Sequence, residues 1–224
     1  MGKRAGPPQP YVWRFVAGRV CLDFANTAGS RRPILGRRIG TRIPEERLFD
    51  YQRLLDWAVT ARVVEPNVGR RLARQAASER GQAMRVWRRA IRLREALYRL
   101  GASTIEHVKP RGADVDVLIE ELRAACTHLT IANRGKALVQ GWKDQGRCLD
   151  ALLWPIALSA LEFFVKELAL RLKRCPGTGC AWLFVDATKN GRRVWCSMSD
   201  CGNRSKVRRY RSRQRDGGRR SRRS

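Results

Sequence analysis

Four of the seven cysteines stand in two pairs, Cys175 with Cys180 and Cys196 with Cys201, each a C-x4-C, with fifteen residues between the pairs. This spacing constrains the fold more than any other feature of the chain. Each pair can supply two thiolates from one tight turn, and a ribbon between the pairs can bring all four around one ion, as in a tetrahedral four-thiolate zinc site. The intervening residues suit that geometry. In "CPGTGC" Pro176, Gly177 and Gly179 allow a tight turn, "AWLFVD" alternates toward a strand, Asn190-Gly191 supplies a hairpin turn, and "VWC" leads back. Four protein thiolates leave no position open for water, so the expected metal is structural, one Zn2+ per chain. A segment of about fifty residues has too little core to fold securely alone, and the metal would supply much of its folding free energy. Two other readings of the same cysteines are incidental buried thiols and a redox switch that releases zinc on oxidation. Cys21, Cys126 and Cys148 lie outside any ligand spacing and read as packing residues.

The residues after Cys201 add a second constraint, because they are basic almost without interruption. Helical spacing puts Arg204, Arg208, Arg211 and Arg215 on one face, with Lys206, Arg209 and Arg213 alongside. Ser199 or Asp200 is placed to cap this helix, and Val207 and Tyr210 to pack back on Trp182, Phe184 or Trp195. Overall the chain carries 47 Lys and Arg against 20 Asp and Glu, a formal +27. After position 170 there are 17 basic and three acidic residues, leaving 30 and 17 before it, so the last quarter carries +14 and the first three quarters +13. A rigid cationic edge rooted on a metal site predicts a polyanion partner, with nucleic acid ahead of an acidic membrane. The competing reading is a solvated charge run.

The segment "RCPGTGCAWLFVDATKNGRRVWCSMSDCGNRSKVRRYRSR" resembles the CGNR zinc finger, through "CGNR" at 201 to 204 and the "RRVWCSM" before it. Upstream, "GRVCLDFANTAGSR" and the helix-rich region after it resemble the ABATE domain, which accompanies this finger in bacterial proteins described as stress-induced transcription regulators. The two resemblances cover nearly the whole chain. They imply zinc at Cys175, Cys180, Cys196 and Cys201 and a DNA-binding role for the C-terminal module. They bring no established active residues to the N-terminal domain.

In that N-terminal part the pattern predicts a short strand over Phe15 to Cys21, and helices over Leu48 to Ala61, over "RVWRRAIRLREALYRLG" ending at Gly101, and over Val115 to Cys126. "HLTIA" and "ALVQGW" predict a hairpin. The fifteen-residue apolar run from Ala151 to Val165 is too short to span a bilayer and predicts a core helix running to Leu170, beginning close to Pro155. Asp23 and Asn26, polar positions in an apolar stretch, are candidates for a ligand pocket, with Arg31 or Arg32 as partner for Asp23; capping a helix or satisfying buried backbone is the competing role. Arg85, Arg88, Arg92 and Arg99 form a stripe read as a solvated face, with an extension of the nucleic-acid surface as the alternative. The two histidines, His107 and His128, fit no catalytic pattern, and there is no P-loop or dinucleotide fingerprint, so no enzyme is expected.

The expectation is therefore a mainly α N-terminal domain with a few short strands over 11–170, a four-cysteine zinc-ribbon or treble-clef-like module over 171–215 ending in a basic helix, and disordered ends at 1–10 and 216–224. With no export signal at the start, the predicted setting is the cytoplasm, on the nucleoid. The predicted partner is double-stranded DNA, met through phosphates by Arg208, Arg211 and Arg215, with Asn203 and Arg204 as candidates for positioning or base contact; the competing role of Asn203 is to brace the knuckle backbone. The N-terminal domain is expected to sense an unidentified small-molecule effector or to mediate assembly. RNA binding and protein interaction are the alternative roles of the zinc module.

Overall fold

In the computed structural model, residues 11–29, 31, 46–166, 169 and 171–220 are described, except for the side chains of 215–220. The expected disorder of residues 1–10 and of the last four lies outside them, as does Arg32. The order is α1 (Val20–Ala25), α2 (Tyr51–Thr60), α3 (Pro66–Ser78), α4 (Arg80–Glu106), α5 (Gly112–Cys126), β1 (Leu129–Arg134), β2 (Ala137–Trp142), α6 (Trp154–Phe164), β3 (Leu172–Arg174), β4 (Leu183–Val185) and α7 (Asn203–Arg220).

α4 organises the body. Its apolar residues recur every three or four positions, Val86, Ala90, Leu93, Leu97 and Leu100, so one side of the helix is buried along its length. α1, α2, α3 and α5 pack around it, and α6 closes against α1 and α5. Local signals explain the helix starts. The Asp50 carboxylate accepts the Arg53 backbone N–H at 2.7 Å at the head of α2, and Pro66 and Pro155 occupy the first turns of α3 and α6, where a missing N–H costs nothing. β1 and β2 form the expected antiparallel hairpin, Leu129 opposite Trp142 and Arg134 opposite Ala137. No helix among the described residues is long and apolar enough to cross a membrane.

Four details differ from the sequence reading. Residues 15–19 form no strand; Gly18 turns with φ +84°, α1 follows, and a single rung from the Val185 N–H to the Ala17 carbonyl at 2.9 Å takes the place of a ladder. α4 does not stop at Gly101 but runs to a left-handed cap at His107. Gly101 is needed for close approach instead: a Cβ there would lie 2.6 Å from Leu183 Cδ1 and 3.3 Å from Leu172 Cδ2. The core helix is shorter than expected, a 3-10 turn over Leu149–Leu152 followed by α6, which ends at Phe164. α7 continues through Arg220, past the start of the expected disordered tail.

The C-terminal module is built into the same core. β3 and β4 pair antiparallel, Leu172 opposite Val185 and Arg174 opposite Leu183. Strand alternation then divides the work: Leu183 and Val185 face the helical core, while Phe184 faces the cysteines. Asn26 on α1's C-terminal side clamps β4, donating from Nδ2 to the Leu183 carbonyl at 2.8 Å and accepting its N–H at 2.9 Å. The Tyr98 hydroxyl donates to the Ala181 carbonyl at 2.9 Å.

Candidate metal centre and its basic helix

Cys175 leaves β3 with its N–H donated to the Trp182 carbonyl at 2.8 Å, and the turn through Pro176 to Gly179 closes with the Cys180 N–H on the Gly177 carbonyl at 3.0 Å. Gly179 has φ +74°. Cys196 precedes a widened helical turn, Met198–Gly202, that carries Cys201 directly into α7. The four sulfurs are buried and lie within 4.8 Å of one another. Cys180 to Cys196 is 3.6 Å and Cys196 to Cys201 is 3.7 Å. A disulfide needs a sulfur separation of about 2 Å. The edge of a tetrahedron of thiolates around zinc is about 3.8 Å, set by Zn–S bonds of about 2.3 Å, so the donor set fits that metal. Gly177 belongs to the cradle: a Cβ there would sit 2.9 Å from Cys201 Sγ and 3.3 Å from Cys175 Sγ. Four buried thiolates this close repel one another, and a divalent cation between them offsets that repulsion.

The residues between the pairs hold them in another way than the expected hairpin. Gly191 does turn, with φ +61°, but residues 192–195 return without a strand. Asp186, buried just after β4, is the hub. It accepts from Lys173 Nζ at 2.7 Å, from the Thr188 N–H at 3.0 Å and from the Arg193 N–H at 2.9 Å, and these donors, Lys173 first, hold its carboxyl well below the usual range. Arg193 lies over the Phe184 ring and donates to the carbonyls of Val16, Val185 and Cys196, tying the N-terminal segment to the second cysteine pair. Sequence reasoning missed both residues. The D-x-T of Asp186 and Thr188 is a local turn signal that could have been read; nothing local marks Arg193.

α7 starts without the expected side-chain cap. Ser197 and Ser199 bond each other at 3.0 Å, and Asp200 instead pairs with Arg14 at 2.6 Å and with Arg204 at 3.1 Å. Arg204 also donates to Cys201 Sγ at 3.1 Å, a charge-assisted bond to a metal thiolate that holds its guanidinium charge more firmly. Asn203 donates to the Ser199 carbonyl at 3.2 Å, and Arg208 reaches the Thr178 hydroxyl. Val207 and Tyr210 do not pack back on the aromatic residues; they are 49% and 65% exposed. The helix is held by its root, and Lys206, Arg209, Arg211 and Arg213 are exposed and, among the described residues, in no ion pair. A cleft of about 680 Å3 runs along it beside Asn203, Arg204, Arg208 and Arg211. The Arg215 side chain lies outside the described residues.

Asp23 and Asn26 are brought together, but onto main chain. Asp23 Oδ1 accepts the N–H groups of Val16 at 2.9 Å and Ala17 at 3.0 Å, and burial raises its pKa to about 6 against those bonds and the nearby Arg193 charge. Both side chains thus satisfy buried backbone, the role that competed with a ligand pocket. Arg31 pairs with Glu95 at 2.8 Å rather than with Asp23. Of the arginine stripe read as a solvated face, Arg92 bonds Glu120 and Arg99 pairs with Asp114 at 2.6 Å. His107 caps α4, and His128 stacks on Trp154 with ring centroids 4.0 Å apart.

Residues 18–167 match ABATE, a family described as "Putative stress-induced transcription regulator", over well more than half of the chain. The chain belongs to the ABATE family. Residues 171–214 match the CGNR zinc finger. In this ABATE chain the finger holds one structural zinc, and the four clustered cysteines are the donors for it. No curated protein matches the chain. Neither matched family is an enzymatic one.

Proposed function

We propose that this ABATE chain is a zinc-dependent transcription regulator that binds double-stranded DNA through α7, working in the cytoplasm on the nucleoid. One observation carries the reading: the cations at Lys206, Arg209, Arg211 and Arg213 project, free of ion pairs among the described residues, from a helix whose root is fixed by the metal ligand Cys201. Free arginines on a pre-ordered helix attract phosphates without the entropy cost of ordering a tail, and salt weakens that attraction steeply. Arg204 and Asn203 are engaged with the knuckle, so their part is to brace the helix, while Arg208, Arg211 and, by helical spacing, Arg215 meet backbone. The helical domain fixes the finger's orientation through Asn26, Gly101 and Tyr98, which suits a sensing or assembly part that passes its state to the finger.

The test is anisotropy of a labelled DNA duplex with the zinc-loaded protein at two salt concentrations, with structured RNA as competitor. The reading predicts an affinity that falls with salt, a loss of about tenfold or more in Arg209→Glu/Arg211→Glu, and no advantage for RNA. An RNA preference at matched salt overturns the DNA assignment, and unchanged retention by the charge-reversed protein overturns α7 as the interface.

A further inference from the structure

Between the head of α2 and the bend where α3 meets α4 lies a cavity of about 470 Å3, within the range of about 300–1,000 Å3 common for small-molecule sites. The two helices bend because Glu79, between them, leaves helical geometry at φ −111° and ψ 50°. Their shared face there is alanine, Ala73 and Ala76 from α3 and Ala83 from α4, so the bend leaves an open cleft that larger side chains would fill. Across it stand Phe49 and Met84, 59% and 51% exposed, large apolar side chains that a lone surface position would not favour as a pair. Trp87 completes the wall. Its indole N–H is committed to the Leu48 carbonyl at 2.6 Å, which fixes the ring and leaves its apolar face to the cavity.

The polar groups at the rim give the site a direction. Asp50 is engaged as the cap of α2, accepting the Arg53 N–H. Arg80, in the first turn of α4, is in no ion pair and is the one cation lining the cavity, both among the described residues; Arg53, which lies over the Phe49 ring at 5.6 Å, is paired with Asp56. A formal +27 on the chain draws anions toward such a group. We propose that this cavity binds an amphipathic carboxylate, its apolar body against Phe49, Met84 and Trp87 and its head group on Arg80. The site does not depend on what α7 binds.

Calorimetric titration of the full-length, zinc-loaded protein with decanoate, decanol and decylammonium tests it. Decanoate binds with a submillimolar Kd, and decanol and decylammonium bind at least about tenfold more weakly, the difference one charge-assisted contact provides. Arg80→Gln removes that advantage and leaves decanol unchanged. Ala76→Phe fills the cavity and abolishes decanoate binding, with circular dichroism and zinc content reporting that the protein remains folded; Met84→Gln, at an exposed position, weakens decanoate binding as a second check. No decanoate binding, equal binding of decanol, indifference to Arg80→Gln, or binding that survives both Ala76→Phe and Met84→Gln overturns the proposal.

Discussion

In the helical region Arg31, Arg89, Arg94 and Arg99 each meet a carboxylate within 2.8 Å, and two of the acids, Glu121 and Asp114, are buried. Along α7, Lys206, Arg209, Arg211 and Arg213 meet none among the described residues. The parts of the chain they belong to, residues 1–170 and 171–224, carry nearly the same net charge, +13 and +14. The difference is placement. In the body, opposite charges lie one helix apart and become architecture. In the finger, the acids at Asp186 and Asp200 are taken by Lys173, Arg14 and Arg204 near the knuckle, and the sequence places no acid in α7 before Asp216, beyond the cations at 204–215. A total of charges says little about partners until the pairs are removed from it.

The strongest way to break the comparison is at the metal. Cys196→Ser/Cys201→Ser removes two of four donors, and a structural zinc in small finger peptides is worth on the order of 10 kcal/mol at neutral pH. Because β3 and β4 contribute Leu172, Leu183 and Val185 to the helical core, the damage should spread beyond the finger. We expect metal analysis to fall from about one zinc per chain to none, DNA retention to vanish, and the thermal transition of the helical body to drop as well. An unchanged transition for the body would show that the shared core carries little of its stability.

Next in size is Arg94, fully buried and bonded to Glu46 at 2.6 and 2.7 Å and to Glu95 at 2.9 Å. Removing one member of a buried pair leaves the other charge uncompensated, so Arg94→Ala should cost about 3 kcal/mol in urea unfolding. The DNA affinity of the protein that remains folded should not change. A stable Arg94→Ala protein would erase the distinction between structural and available arginines.

How much of this was legible in the sequence follows from the range of the forces involved. Cysteine spacing is a local code, and the sulfurs cluster as it requires. α2, α4, α5, the β1–β2 hairpin and Pro155 at the first turn of α6 are also local, set by periodicity and capping. Two local features were not read, α3 and the Asp186–Thr188 turn; the rest of what escaped is long-range. Gly101 reads as a helix stop until Leu183 arrives from 82 positions away to occupy the missing Cβ. Arg193 reads as a turn residue until its guanidinium meets Val16, 177 positions back. Val207 and Tyr210 have the spacing of a packed stripe, but among the described residues no surface covers them.

Asp23 gives a smaller, pH-dependent contrast inside the body. Its folded pKa, about 6, lies above the ordinary aspartate value near 3.8, because burial outweighs the N–H bonds and Arg193. The folded state therefore holds a proton more tightly than the unfolded chain. The stability this contributes is complete below pH 4 and is lost as pH rises through 6, to the extent of about 3 kcal/mol for a shift of about two units. Asn keeps an oxygen for the Val16 and Ala17 N–H groups without a charge to desolvate. The urea midpoint of Asp23→Asn should match the parent near pH 4 and exceed it above pH 6, whereas a constant difference would place the carboxylate in a solvated setting.

The smallest effect on stability, and the sharpest separation of the two regions, belongs to Arg211→Ala. The side chain is exposed and unpaired among the described residues, so unfolding free energy should change by less than about 0.5 kcal/mol. If it meets a phosphate, its loss weakens every duplex by a similar factor, whatever the base sequence, and lowers the slope of log affinity against log salt by about one. Arg204→Ala should behave differently. It breaks the bond to Cys201 Sγ and the pair with Asp200, so it should loosen the root of α7 and lower affinity through helix order, with circular dichroism reporting the change. Equal salt slopes for the two variants would mean that Arg204 also meets the backbone, and an Arg211→Ala slope equal to the parent's would return α7 to the status of a solvated face.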